Sequence, residues 1–200
     1  MAIRFGASAL GLVAKMPSGP GSISDLLILR IARSVPAGIP TFLLTSETSA
    51  GEIIGHHKRT HTSTIQIVDK PEQGAYEAIR LALPAIKIVQ VVHVIDECSI
   101  DEAIRISQHV DALLLDSGNP ILLIKELGGT GRVHNWKISR EIIEQSKVPV
   151  FLAGGLTLEN IKRAVNEVHP FGVDLCSGVR TNGKLDPKKL EAFMTAVLSS

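Results

Sequence analysis

An α/β fold built on a parallel sheet is what this 200-residue sequence predicts, on three observations. Short apolar runs rich in Ile, Val and Leu recur along the chain, as strands buried on both faces require. Longer amphipathic segments separate them, with helix-start residues at their heads. No linker or low-complexity stretch interrupts the alternation, so the units belong to one series. Residues 1–200 therefore read as one domain, long enough to bury roughly two-thirds of its unfolded surface.

In chain order, Met1–Gly6 looks like the tail of a helix, and strand candidates follow at Ala7–Ala14, Ile39–Thr45, Ser63–Val68, Ile86–Val94, Ala112–Asp116, Pro149–Ala153 and Gly172–Leu175. Helices fit Ser24–Val35 and Lys137–Ser146 between them. Ser49-Ala-Gly-Glu52 and Ser99-Ile-Asp-Glu102 read as capping boxes, a serine hydroxyl and a glutamate satisfying free backbone N–H groups. Asp69 and Pro71 suit a helix start that Pro84 closes. Thr157 opens a helix carrying Leu158, Ile161, Ala164, Val165 and Val168 on one face, and Pro187 begins a last one with Leu190, Phe193, Met194, Val197 and Leu198 at helical spacing. Seven strand–helix units result, and periodicity alone leaves an open doubly wound sheet and a (β/α)8 barrel both in play.

Composition narrows the function classes. Net charge is +1 and aromatics are 4% of residues, so neither a global field nor a stacking platform for nucleic acid is present. No apolar run reaches the ~18 residues that span a bilayer. Arg4 and the apolar stretch to Ala14 only faintly resemble a leader, since no small-residue cleavage site follows. Cys98 and Cys176 form no metal or disulfide pattern, and a reduced, cytoplasmic setting is expected. No metal-ligand spacing, nucleophile elbow or P-loop occurs.

In either architecture, functional groups collect at the carboxyl ends of the strands. Asp116 ends the wholly apolar run Val110-Asp-Ala-Leu-Leu-Leu-Asp-Ser117. Desolvation there raises a carboxyl pKa and suits it to donate a proton, while the same position also suits a turn acid. Gly128-Gly-Thr-Gly-Arg132 is a hydrogen-bond-rich loop bearing a cation. Gly154-Gly155 and Cys176-Ser-Gly178 follow the last two strands, where glycine turns and helix N-termini hold phosphate in barrels, though glycine also simply permits tight turns. His56, His57 and His61 read as a solvated helix face, and His93, ending a strand, as a buried histidine or a site residue.

Four segments then carry a resemblance: Val110–Ser117, Gly128-Gly-Thr-Gly-Arg-Val-His-Asn-Trp136, Val150-Phe-Leu-Ala-Gly-Gly-Leu156 and Gly172-Val-Asp-Leu-Cys-Ser-Gly-Val179, followed by Asp186-Pro-Lys-Lys189. In this order they resemble the phosphoribosylanthranilate isomerase family. More loosely, Gly6–Val13 resembles that family's second strand and Ala85–Val89 its fifth. The resemblance implies a (β/α)8-type barrel, with this chain supplying seven units and starting after the first strand. It implies an Amadori rearrangement of a phosphorylated sugar in tryptophan biosynthesis, without a cofactor, in a monomer or homodimer. It places the general acid on Asp116, and substrate or phosphate contacts on Gly129, Gly131, Arg132, Gly154, Gly155, Asp174, Ser177 and Gly178. A divergent activity on another sugar phosphate, or phosphate binding alone, is the alternative.

The sequence departs from the family at four places. The family's base is a cysteine in a Cys-Gly-Ile motif on the first strand, which leaves Cys176 as a stand-in and Cys98 as a remoter one. The family's carboxylate-holding arginine, in Ser-Pro-Arg, meets Pro17-Ser-Gly-Pro-Gly21; its Gln-Leu-His-Gly meets Gln66-Ile-Val-Asp69; its Ser-Gly-Val-Glu meets Ser177-Gly-Val-Arg180. Recognition of a carboxylated ring predicts a cation near the Pro17–Gly21 loop, where Lys15 is the sequence neighbour.

Overall fold

The structure, a computed structural model, describes residues 1–17, 21–120, 122, 125–127 and 131–199. A 3-10 turn at Ala2–Phe5 is closed by Gly6 in the left-handed region, matching the expected helix tail. There follow β1 (Leu10–Val13), α1 (Asp25–Ser34), β2 (Thr41–Thr45), α2 (Ala50–Thr60), β3 (Thr64–Ile67), α3 (Ala75–Ala82), β4 (Lys87–His93) and α4 (Cys98–Ser107). The second half adds β5 (Ala112–Asp116), α5 (Trp136–Gln145), β6 (Val150–Leu152), α6 (Ile161–Val168) and β7 (Gly172–Val173). A 3-10 turn (Ser177–Val179), a hairpin of β8 (Arg180–Thr181) and β9 (Lys184–Leu185), and α7 (Pro187–Leu198) close the described chain.

Strands β1 to β7 pair in strict sequence order, every pair parallel. A doubly wound sheet reverses its order part-way, whereas a barrel never does. The fold is therefore of (β/α)8 type, with seven strand–helix units. Among the described residues β1 and β7 each pair on one side only. Their ladders are accordingly shorter than the runs Ala7–Ala14 and Gly172–Leu175 suggest.

Two apolar layers fix which side chains face the barrel interior. One joins strand residues such as Ile65, Ile88, Val92, Leu113, Leu115 and Leu152 to helix residues Ile53, Ile79, Ile142, Ala164 and Phe193. The other packs Val68, Val89, Val91, Ala112, Leu114 and Ala153 with Phe42, Leu44 and Phe151, and contains no helix residue. Alternate residues of one strand thus separate to opposite faces, as the pleat requires. Burial on both sides is why these strands read as continuous apolar runs.

The expected starts of three helices shift. At α2 the Ser49 hydroxyl accepts from Glu52 N–H and donates to the Glu52 carboxylate, 2.8 Å away, so the box closes through the side chains. Ser99 is no cap: α4 begins one residue earlier, Asp96 accepts from Cys98 N–H, and the Ser99 hydroxyl accepts from Ile95 N–H. Helix α3 begins at Ala75 rather than near Pro71, because Glu72 N–H is taken by the Thr48 carbonyl and Gly74 turns the chain at φ 78°. A turn does open at Thr157, whose carbonyl accepts from Asn160 and Ile161 N–H, but α6 proper starts at Ile161. The hairpin β8–β9 escapes the periodicity reading; its Asn182-Gly183 turn has φ 50° and 74°, the pairing such two-residue hairpins favour.

His56 also corrects the sequence reading. It lies on the buried face of α2 with Ile53 and Thr60, not in solvent. Its Nδ1 meets the Thr45 hydroxyl at 2.9 Å and its Nε2 meets the Asp25 carboxylate at 3.1 Å. Truncation to alanine takes one hydrogen bond from each partner, leaving Asp25 with Arg59 and the Thr45 hydroxyl with Glu47 N–H, so His56→Ala is expected to cost about 1–3 kcal/mol, read as a lower midpoint in urea. An unchanged midpoint would contradict this pairing.

Candidate active site

Strand alternation sends Asp116 inward. Ala112 and Leu114 belong to the interior layer and Leu113 and Leu115 to the helix layer, so Asp116 continues the interior set. On β7 Val173 packs in the helix layer, which turns Gly172 and Asp174 inward. Register sets their relative height. Leu115 pairs with Leu152, and Leu152 with Val173, so the next residues (Asp116, Ala153, Asp174) share one level. His93 pairs with Asp116 and extends that level by one strand. The two aspartates are two strands apart, about 10 Å between Cα atoms measured along the sheet, with the small Ala153 between.

Both carboxyls line a cavity of about 50 Å³ together with Gly131, Gly154, Gly155, Cys176 and Ser177. Roughly 10–15 Å³ of such space holds one water, so the cavity has room for a compact group. A cleft of about 920 Å³ starts nearby at Lys70, His93 and Pro120 and continues between Tyr76 on α3 and Ile106 on α4.

The electrostatics follow from burial. Asp116 is 6% exposed, and desolvation raises its pKa from the ordinary carboxylate value, opposed by a hydrogen bond from Ser117 N–H and by His93. Asp174 keeps some exposed surface as a residue, but its carboxyl is walled in. Burial, then the charge of Asp116, push it up to about 6 against one hydrogen bond from Leu175 N–H. Burial opposes ionisation of both carboxyls, and each opposes the charge of the other. His93 donates from Nε2 to the Val68 carbonyl at 3.0 Å, the assignment its acceptor demands, and its buried Nδ1 has no partner among the described residues. His134 is pushed down to about 4 by burial and sits against the Ser139 hydroxyl, hence neutral.

Glycine is needed where these turns converge. Gly154 has φ 80°, and a Cβ there would lie 2.8–3.0 Å from Ser117 and the Asp116 carboxylate. A Cβ on Gly155 would lie 2.5 Å from the Arg132 backbone, and one on Gly178 only 2.1 Å from the Leu156 carbonyl oxygen. The turns after β6 and β7 are thereby locked together. Gly178→Ala must part them, at about 1–3 kcal/mol for overpacking, and a lowered Tm is expected. An unchanged Tm would mean the contact is absent.

Of the residues expected at the site, Asp116, Asp174, Gly131, Gly154, Gly155 and Ser177 come together around the small cavity, and Gly178 supports it from the neighbouring turn. Arg132 contributes backbone against Gly155, while its guanidinium pairs with Glu126. Gly129 lies outside the described residues. Lys15 is exposed. Among residues the sequence reading did not place here, Lys125 pairs with buried Asp69 at 2.6 Å at the end of β3. Only the β-strand ends themselves signalled that neighbourhood.

The family model described as N-(5'phosphoribosyl)anthranilate (PRA) isomerase matches residues 44–196. The chain is 36% identical over 196 residues to N-(5'-phosphoribosyl)anthranilate isomerase 2 of Methanosarcina mazei, spanning 97% of this chain and 86% of that one. The chain belongs to the phosphoribosylanthranilate isomerase family. Solved structures agree on the fold. Phosphoribosyl anthranilate isomerase from Thermotoga maritima superposes with a TM-score of 0.82 at 24% identity, covering 100% of this chain and 92% of that one. A second isomerase structure of the family, in complex with reduced 1-(o-carboxyphenylamino)-1-deoxyribulose 5-phosphate, gives 0.80 at 21% identity, covering 100% and 91%. With the family placed, the described parts of the four motif segments fall on β5, β6 and β7 and their carboxyl ends and just before α5, the mouth of a phosphoribosylanthranilate isomerase barrel. No helix among the described residues is long and apolar enough to cross a membrane.

Proposed function

We propose that this chain, as a single barrel domain, isomerises N-(5'-phosphoribosyl)anthranilate to the 1-deoxyribulose phosphate by an Amadori rearrangement, a step of tryptophan biosynthesis. The observation that carries the reading is the pair of inward carboxyls, Asp116 and Asp174, at one level of the barrel mouth beside two interlocked glycine turns. The turns at Gly154-Gly155 and Ser177-Gly178, with Gly131, take the phosphate, because glycine lets the backbone N–H groups approach an anion. Arg132 borders that pocket through its backbone.

Asp116, protonated, gives its proton to the ribose ring oxygen. The C1–O bond breaks with its electron pair going to that oxygen, and the anilino nitrogen lone pair forms the iminium. A base then takes the proton from C2, the C2–H pair becomes the C1–C2 double bond, and the iminium electrons return to nitrogen. Tautomerisation of the enolamine gives the ketose, so the reaction balances with no co-reactant. Environments that separate acid from base are how one fold runs both steps. Asp174 supplies the base in this reading, since it shares Asp116's level. Cys176 lines the same cavity and is the competing group.

Titration with ribose 5-phosphate, followed by amide NMR, is expected to move the signals of Gly154, Gly155, Ser177 and Gly178. Shifts confined to the opposite end of the barrel, around Ser34 and Thr60, would contradict the placement.

A further inference from the structure

We propose that His134 is a positioning residue for the phosphate site, its ring bonded to Ser139 so that the Gly131–Val133 backbone stays against the Gly154-Gly155 turn, an assignment that rests on the isomerase reading above. That backbone is part of the site. Gly131, at φ 71°, lines the small cavity, and the Arg132 and Val133 main chain lies directly on Gly155. A phosphate held by main-chain N–H groups depends on where those groups point, so a shift of one segment is felt as weaker binding.

Nothing in the segment's own main chain fixes it. Among the described residues the backbones of Gly131, Val133 and His134 make no hydrogen bond. Side chains do the tethering. The Arg132 guanidinium pairs with Glu126 in the open, where an ion pair holds little. His134 Nε2 meets the Ser139 hydroxyl at 2.7 Å, and Ser139 is wholly buried, on the face of α5 that also buries Trp136 and Ile142.

The anchor is shared with the phosphate turn. The Arg163 guanidinium of α6 lies over the Trp136 ring, 4.8 Å from its centroid, and ties α5 to α6. Asn160, the residue before α6, accepts from Thr157 N–H and donates to the Gly155 carbonyl, each at 2.9 Å. Gly155 is thus held from α6 through its carbonyl and packed against by the segment that His134 pins. Burial pushes the imidazole down to about 4, so at neutral pH the ring acts through its hydrogen bond and not through charge. Its Nδ1 is buried without a partner among the described residues, a cost to folding that a tether for stability alone would not carry.

The test is steady-state kinetics with N-(5'-phosphoribosyl)anthranilate on the unmodified chain, His134→Phe, His134→Gln, Ser139→Ala and the double variant of His134→Phe with Ser139→Ala, alongside their affinities for ribose 5-phosphate. His134→Phe and Ser139→Ala are each expected to raise KM about 3–10-fold, the worth of one hydrogen bond, with kcat level. Affinity for ribose 5-phosphate falls by the same factor. The double variant does no worse than either single one, because both remove one bond. His134→Gln, whose amide reaches the place of Nε2, keeps most of the affinity. Ser139→Ala carries the comparison should His134→Phe fail to fold. A lower Tm in His134→Phe and Ser139→Ala with KM and ribose 5-phosphate affinity unchanged marks a merely structural role and overturns the assignment. Equal losses in His134→Gln and His134→Phe overturn it as well. No turnover by the unmodified chain overturns the isomerase reading alone, since the ribose 5-phosphate arm still decides the role of His134.

Discussion

Asp116→Asn lowers kcat by about 10²–10⁴-fold, the range for removing a proton donor, and leaves ribose 5-phosphate affinity within a few-fold. The amide keeps the shape of the carboxyl and can still accept from Ser117 N–H, which the native side chain accepts at 2.7 Å. What it cannot do is hand a proton to the ring oxygen as its own charge develops. The residue's surroundings favour the protonated form: it ends an apolar strand, 6% exposed, at the same level of the barrel as Asp174. Stopped assays on the variant should show substrate bound but unconverted. Full turnover would remove Asp116 from the chemistry.

Asp174→Asn has a comparable expected effect with a different signature. As base, Asp174 works only when ionised, and its pKa is pushed up to about 6. Activity of the unmodified chain should therefore fall as pH drops through about 6, roughly tenfold per unit below it. The asparagine variant loses about 10²–10⁴ in kcat and loses that limb. The stability effect has the opposite sign. A folded pKa above the unfolded 3.8 means the folded state binds the proton more tightly. Stability is then fullest below about pH 4 and falls as pH rises to about 6, as linkage requires. At pH 7 the uncharged variant should be more stable by roughly 1–3 kcal/mol. A site that is held together less well for the sake of its chemistry shows this trade. Loss of activity in Cys176→Ser but not in Asp174→Asn would transfer the base to the thiol.

How much of this was legible in the sequence depended on the range of the interaction. The strands were legible because a run buried on both faces has nowhere to put a polar residue. Asp116 was legible for the same reason, as a charge closing such a run. His56 had its signal too, since Ile53, His56 and Thr60 share the spacing of one helix face; three nearby polar residues, His57, Lys58 and Arg59, masked it. Ser99 misled because the capping pattern does not register a helix that starts one residue earlier, at Cys98, with Asp96 accepting from the Cys98 N–H. Sequence order of the strands in the sheet was beyond periodicity, which is identical for wound and barrel sheets. The pairing of Asp116 with Asp174 was beyond it as well. It needs the registers of β5 with β6 and β6 with β7, and one step of slip would turn either carboxyl outward. The glycine turns lay between these cases. Their positions after strands were readable, but the 2.1 Å approach of a Gly178 Cβ to Leu156 was not.

The most direct measurement is single-turnover conversion of N-(5'-phosphoribosyl)anthranilate by this chain at pH 7.5, beside the Asp116→Asn variant. The unmodified chain is expected to form the 1-deoxyribulose phosphate, with the variant slower by about 10²–10⁴-fold. Equal rates in the two proteins, or no product above the spontaneous background from either, would contradict it.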